Sequence, residues 1–113
     1  MHEYGIAQEI VSTALECARA EKAERITRVH IEMSALADES EDSLQMYLET
    51  LARGTLAESA VFDIARVSVS AQCLDCQTTF TLAELGRLCS RCGSAGVVMQ
   101  GRAEFKMTGI EVE

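Results

Sequence analysis

The sequence contains no proline, few aromatic residues and few basic ones. Aromatic side chains make up 4% of the 113 residues, so we expect a modest core built from isoleucine, valine, leucine, alanine and methionine. Lys and Arg number 10 against 18 Asp and Glu, which gives a net charge of −8. A nucleic-acid-binding protein needs clustered basic side chains to neutralise phosphates, and this charge balance argues against such a partner. It is compatible with a protein that attracts cations or docks on a basic partner.

Long apolar runs are also missing. No stretch is long enough to span a membrane, and the first residues carry acids where a signal peptide would carry basic side chains. We therefore predict a cytoplasmic protein without a membrane partner. Because thiols stay reduced in that compartment, paired cysteines indicate metal binding rather than disulfides. The length suits one domain, or one small domain with a metal-stapled lobe.

Hydrophobic periodicity predicts an α+β fold. The pattern indicates a helix over residues 4–22, a strand over 24–34, a helix over 42–53, a strand over 60–71 and a final strand over 104–113. Ser40 or Asp38 can cap the second helix, and Gly54 can end it. We expect the last strand to return to the first, which gives a three-stranded sheet with two helices. The predicted units are therefore an α/β domain of residues 1–70 and 102–113, with an inserted four-cysteine, zinc-ribbon-like lobe of residues 71–101.

Two Cys-x-x-Cys pairs dominate the second half of the chain. Cys73 and Cys76 form the first pair, Cys89 and Cys92 form the second, and twelve residues separate the pairs. Two such turns folded over one another make a tetrahedral all-sulfur cage that leaves no position for water. This spacing predicts a structural ion, with Zn(II) favoured. A rubredoxin-type iron site is the competing interpretation, and the scarcity of aromatic residues around the turns disfavours it.

Candidate catalytic groups are scarce. The chain has two histidines, His2 and His30, and no Ser-His-Asp arrangement, P-loop or Gly-rich dinucleotide motif. The fifth cysteine, Cys17, lies near the edge of an apolar stripe, where we expect a small buried or half-buried thiol. We expect His30 to be a surface residue on the polar face of a strand. The sequence therefore predicts a protein that is not an enzyme.

The first three residues, Met1-His2-Glu3, form a candidate site for a second metal. The α-amine of Met1, the His2 backbone amide and the His2 imidazole Nδ1 follow one another and can wrap one ion in adjoining chelate rings. When the amide deprotonates, these strong-field nitrogens suit Ni(II) or Cu(II) in square-planar geometry. Glu3, or a group from elsewhere, could fill the fourth position. The alternative is a frayed terminus whose second residue happens to be histidine.

These features together resemble the hydrogenase/urease nickel-incorporation metallochaperones (HypA/HybF). The resemblance rests on an initial Met-His-Glu, an apolar helix directly behind it, strand, helix, strand, then C-x2-C-x12-C-x2-C-G and a terminal I-E-V strand. It implies that His2 is a nickel ligand, with the Met1 nitrogen and Glu3 as companions and Asp38 as an extra donor. It also implies that the four paired cysteines hold structural zinc. Some members supply a further nickel-ligating histidine from the zinc lobe, whereas this chain has no histidine after His30.

The resemblance also implies a function and partners. Nickel would pass, with a nickel-insertion GTPase, into the large subunit of [NiFe]-hydrogenase, or towards urease. The alternative function is a zinc-ribbon adaptor that binds proteins without transferring metal. A nucleic-acid-binding ribbon and a rubredoxin-like redox protein are weaker alternatives. We expect a monomer, or a dimer that exchanges its final strands, because the last strand returns across flexible crossings.

Overall fold

The structure is a computed structural model that describes residues 2–35, 37, 39–68, 70–81, 88–100 and 105–113. The elements are α1 (His2–Ala20), β1 (Ile26–Ser34), α2 (Glu41–Ala52), β2 (Val61–Val67), β3 (Ser70–Cys73), β4 (Thr79–Thr81), β5 (Val97–Gln100) and β6 (Phe105–Val112). Within the described ranges, no helix is both long and apolar enough to cross a membrane. Asp38, one of the two residues predicted as a possible N-cap of α2, lies outside the described residues.

Both helices follow from local sequence signals. The predicted first helix, residues 4–22, is observed as α1 and begins two residues earlier. The predicted second helix, residues 42–53, is observed as α2. Ser40 is the N-cap of α2, and its hydroxyl accepts a hydrogen bond from the Ser43 backbone N–H at 3.2 Å. Beyond its end, Gly54 has a φ of +74°, a left-handed conformation that glycine adopts without a Cβ penalty.

The larger sheet has the strand order β2-β1-β6. β1 and β2 are parallel and are joined by α2, whereas β6 runs antiparallel to β1. The return of the last strand to the first, predicted from the sequence, is therefore confirmed. The two helices cover one face of this sheet and bury a common core. Its largest fully buried members include Ile26, Ile31, Leu44, Leu48 and Val29.

The prediction of one strand over residues 60–71 is wrong. The segment forms two strands in two different sheets: β2 ends at Val67, opposite the last residue of β1, and β3 begins at Ser70. The alternation of apolar and polar residues continues through the break because both strands have a buried face. Hydrophobic periodicity indicates that one face of a strand is buried, but it does not indicate to which sheet the strand belongs. Val69, which the prediction included, lies outside the described residues.

The second sheet has the order β4-β3-β5 and lies between β2 and β6 in the chain. Both pairings are antiparallel. Among the residues that the structure describes, its core contains Cys73, Cys89 and Phe80, with Val97 packed against them. Two helices with a three-stranded sheet and an inserted four-cysteine lobe confirm the α+β fold predicted from the sequence.

Candidate metal centre

Two turns of the same construction present the four paired cysteines. In the first, the Gln77 N–H donates to the Cys73 carbonyl at 2.9 Å; in the second, the Gly93 N–H donates to the Cys89 carbonyl at 2.8 Å. Gln77 and Gly93 also share a left-handed backbone, with φ of +62° and +76°. Each pair is thus followed by a residue that turns the chain sharply back. Equal spacing in the sequence produces equal geometry in the structure.

In each turn, a backbone hydrogen bond joins the first cysteine of the pair to the residue five positions later. The Cys73 N–H donates to the Thr78 carbonyl at 3.0 Å, and the Cys89 N–H donates to the Ser94 carbonyl at 2.7 Å. The two turns are also joined to each other, because the Ser94 hydroxyl donates to the Asp75 carboxylate. This bond spans the pairs and limits how far they can separate.

The four sulfurs converge on one point. Their Sγ atoms all lie within 4.8 Å of one another. Among the described residues, these four form the group that could hold a metal ion. The Cys73–Cys92 and Cys76–Cys89 sulfur separations are 3.6 and 3.7 Å. Metal–sulfur bonds of about 2.3 Å in a tetrahedron require sulfur–sulfur edges of about 3.8 Å. The cysteines therefore fit a single tetrahedral ion, and all four predicted ligands are brought together.

Backbone and hydroxyl donors surround the sulfurs. The N–H groups of Arg91 and Cys92 both lie 3.4 Å from the Cys89 Sγ. The Thr78 Oγ1 lies 3.1 Å from the Cys76 Sγ, where its hydroxyl can donate. Such donors favour the thiolate over the thiol, which is the form that binds metal. Sequence reasoning did not identify Thr78, although its position two residues after a ligand is where a hydroxyl can reach back to sulfur.

The pKa values of the cysteines reflect this arrangement. The Thr78 hydroxyl and backbone N–H lower the pKa of Cys76 to about 6, and the Cys76 backbone N–H lowers the pKa of Cys73. For Cys92, the Ser94 backbone N–H favours the thiolate, but the Cys73 sulfur, local desolvation and the other two sulfurs outweigh it and raise the pKa to about 12. Thiolates this close repel one another, so a cation in the cage would favour full deprotonation.

Burial divides the four cysteines into two types. Cys73 is 0% exposed and Cys89 is 4% exposed, whereas Cys76 and Cys92 reach the surface. The first residue of each pair thus belongs to the small core of the lobe, and the last residue closes the cage at its outer side. Among the described residues this core has few other members, so a metal held by the four sulfurs would add to the cohesion of the lobe.

The predicted nickel segment lies at the start of α1. Met1 and the position of the His2 imidazole lie outside what the structure describes, as does Asp38. His2 is the first helical residue, and Glu3 is half-buried in the first turn. The first backbone N–H groups of a helix have no intrahelical acceptor, so the amide needed for chelation is not used by the helix.

Cys17 and His30, the fifth cysteine and the second histidine considered in the sequence, both lie outside the core. Cys17 is exposed on α1, so the expectation of a buried or half-buried thiol is wrong; the helix turns its side chain away from the apolar stripe of Ala14 and Ala18. His30 lies on the open face of the sheet, as expected. Its Nε2 lies 2.7 Å from a Glu111 carboxylate oxygen, and its Nδ1 lies 3.9 Å from an Asp63 oxygen. These partners come from neighbouring strands and could not be identified from local sequence.

Comparisons with known proteins agree with the geometry. The family model "Hydrogenase/urease nickel incorporation, metallochaperone, hypA" matches residues 1–112. Hydrogenase maturation factor HypA of Azotobacter chroococcum mcd 1 is 34% identical over 113 residues and covers 100% of both chains. That of Rhizobium leguminosarum bv. viciae is 32% identical over 112 residues, 99% of each chain.

Solved structures share the fold. The solution structure of the Ni metallochaperone HypA from Helicobacter pylori has a TM-score of 0.71 at 23% identity and covers 97% of this chain and 96% of its own. A second structure, titled "Solution structure of HypA protein", has a TM-score of 0.79 at 23% identity, over 100% of this chain and 97% of its own. The match to the family model over nearly the whole length, together with relatives above 30% identity, shows that this chain belongs to the HypA family of hydrogenase/urease nickel-incorporation metallochaperones, which are maturation factors and not enzymes.

Proposed function

We propose that this chain binds Ni(II) at its N-terminal segment and delivers it for the maturation of [NiFe]-hydrogenase, with urease as the alternative recipient. The observation that carries the proposal is the family match from residue 1 to residue 112. His2 is the central ligand, and the Met1 nitrogen and Glu3 complete the set. Nickel is the cargo of this protein, so its site must both capture and release the ion.

The start of α1 suits such a site. The amine, the His2 amide and the imidazole are consecutive donors, and the amide lies where a helix leaves N–H groups unbonded. The positive end of the helix dipole opposes a cation but favours a deprotonated amide. These two effects act against each other and favour an intermediate affinity, which suits transfer to an acceptor.

Zinc has a separate role in the proposal. Cys73, Cys76, Cys89 and Cys92 would hold Zn(II) with four thiolates, which leaves no position for a substrate or a water molecule. The ion would then stabilise the lobe and take no part in nickel transfer. We also infer the division into an α/β domain of residues 1–70 and 102–113 and a zinc lobe of residues 71–101.

The proposed partners are the nickel-insertion GTPase and the hydrogenase large subunit. The net charge of −8 favours a basic surface on one of them, since opposite charges steer association. The proposal places the transfer in the cytoplasm, with the chain acting as a monomer or as a dimer with exchanged final strands.

A nickel titration of His2→Ala tests the proposal. We expect about one equivalent bound by the unaltered protein and a loss of that binding in the variant, because the imidazole closes the second chelate ring. His30→Ala is the matched control: it removes the other histidine of the chain and should leave nickel binding unchanged. Zinc content should be the same in all three proteins. Unchanged nickel binding in His2→Ala would refute the assignment of His2 as a nickel ligand. Absence of nickel binding in the unaltered protein would leave the zinc-ribbon adaptor as the better account.

A further inference from the structure

The two tyrosines of the chain contact each other at the start of α1. The ring centroids of Tyr4 and Tyr47 lie 5.5 Å apart, and the ring planes meet at 86°. This edge-to-face geometry places the positive edge of one ring against the negative face of the other, which is an attractive arrangement for aromatic rings. Tyr4 belongs to the first turn of α1 and Tyr47 to the middle of α2, so the pair joins the two helices.

The first turn has little else to hold it. The Glu3 side chain makes no hydrogen bond or ion pair with the described part of the chain, and Gly5 offers no side chain. Glycine is also unfavourable in a helix. The first fully buried residue of α1 is Ala7. Ile6, directly after this turn, packs against the core, and the ring pair is a tertiary contact made within the turn itself, beside His2 and Glu3.

From this geometry we infer that Tyr47 is a positioning residue for nickel: its ring holds Tyr4, and Tyr4 holds the first turn, which contains His2 and Glu3 and to which Met1 is joined in the chain. The inference rests on the proposed nickel site. Tyr47 does not touch the ion; it raises the fraction of molecules in which the first turn is docked on α2. Apparent affinity falls in proportion to that fraction when it is reduced.

A nickel-competition measurement on three variants tests the inference. Tyr47→Ala removes the ring and should weaken apparent nickel affinity by about threefold to tenfold, the range that corresponds to one aromatic pair. Tyr47→Phe keeps the ring and should stay within about twofold of the unaltered protein. Bound nickel at saturation should remain one equivalent in each, because the ligands are intact.

The third variant separates positioning from general damage. Gly5→Ala favours the helical first turn without any contact to the donors, and a Cβ at Gly5 would meet nothing within 4 Å. Combined with Tyr47→Ala, it should recover about twofold to fivefold of the lost affinity. Urea denaturation of the same variants separates the two effects, because in a merely destabilised protein the nickel affinity would follow the free energy of unfolding, whereas docking of the first turn changes affinity while the protein is fully folded. Zinc content should be the same in every variant.

Two outcomes overturn the inference. Unaltered affinity in Tyr47→Ala would show that the ring does not position the donors. A loss in Tyr47→Ala that Gly5→Ala does not recover would show that the effect arises elsewhere in the fold. The His2→Ala titration distinguishes these failures from failure of the nickel site itself. If His2→Ala abolishes binding while Tyr47→Ala does not weaken it, the nickel site stands and the positioning role falls.

Discussion

The mirrored cysteine turns predict that glycine at position 77 strengthens metal binding. Gln77 and Gly93 occupy equivalent places, each with a positive φ, yet one is glycine and the other carries a Cβ. The left-handed conformation costs an L-residue about 1–2 kcal/mol, and glycine avoids this cost. Glycine also loses more conformational entropy on folding, which offsets about 0.5–1 kcal/mol of its advantage. The difference between these two ranges is about 0–1.5 kcal/mol, and we expect a net gain for Gln77→Gly near its middle, about 0.5–1 kcal/mol.

This gain should appear in metal affinity, because the cage and the fold of the lobe form together. A gain of that size tightens zinc binding by about twofold to fivefold, which a competition assay with a colorimetric chelator can resolve. Gly93→Gln introduces the same strain in the second turn and should weaken zinc binding by a similar factor.

Lys22→Gly is the matched control for this prediction. Lys22 also has a positive φ, +55°, but it follows α1, far along the chain from the four paired cysteines. The Ala23 N–H donates to the Ala18 carbonyl across it at 2.9 Å. Glycine there should raise the free energy of unfolding of the helical core and leave zinc affinity unchanged. The reasoning is refuted if Gln77→Gly leaves zinc affinity unchanged or weakens it, or if Lys22→Gly raises it equally.

Two further predictions concern single hydrogen bonds. Thr78→Val removes the hydroxyl 3.1 Å from the Cys76 sulfur and should weaken zinc binding by about tenfold. Thr78→Ser is the control, because it keeps the hydroxyl. Equal zinc affinity in the two variants would contradict the prediction. Ser40→Ala removes the N-cap of α2 and should lower the free energy of unfolding by about 1 kcal/mol in urea denaturation, while Ser40→Asp, which can still cap, should stay near the original value. An unchanged midpoint in Ser40→Ala would show that the cap contributes nothing.

Long periodic patterns and regular cysteine spacing were enough to predict most of the fold. The apolar stripe of α1 repeats over many turns and predicts a helix, although the predicted start and end each lie two residues later than the observed ones. The return of β6 to β1 followed from the need of a short strand for a partner. The convergence of the cysteines followed from the geometry of two-residue spacing. Each of these signals is local or repeated.

The errors and omissions concern partners that are distant in sequence. The segment over residues 60–71 was assigned one strand because both of its strands bury one face, yet β2 joins β1 and β3 joins β5. The contact of Tyr4 with Tyr47 joins two helices, and the carboxylates beside His30 come from two other strands. Such pairs depend on register and helix packing, which a linear pattern does not contain. Cys17 was misplaced because a residue at the edge of a stripe can turn either way.

The central claim is that nickel binds at the first residues while a separate sulfur cage holds structural zinc. Metal analysis after nickel loading, on the untagged protein and on a form with two residues added ahead of Met1, tests this most directly. Because the added residues turn the terminal amine into an amide, we expect the extended form to lose its nickel and keep one equivalent of zinc. Equal nickel in both forms would contradict the claim.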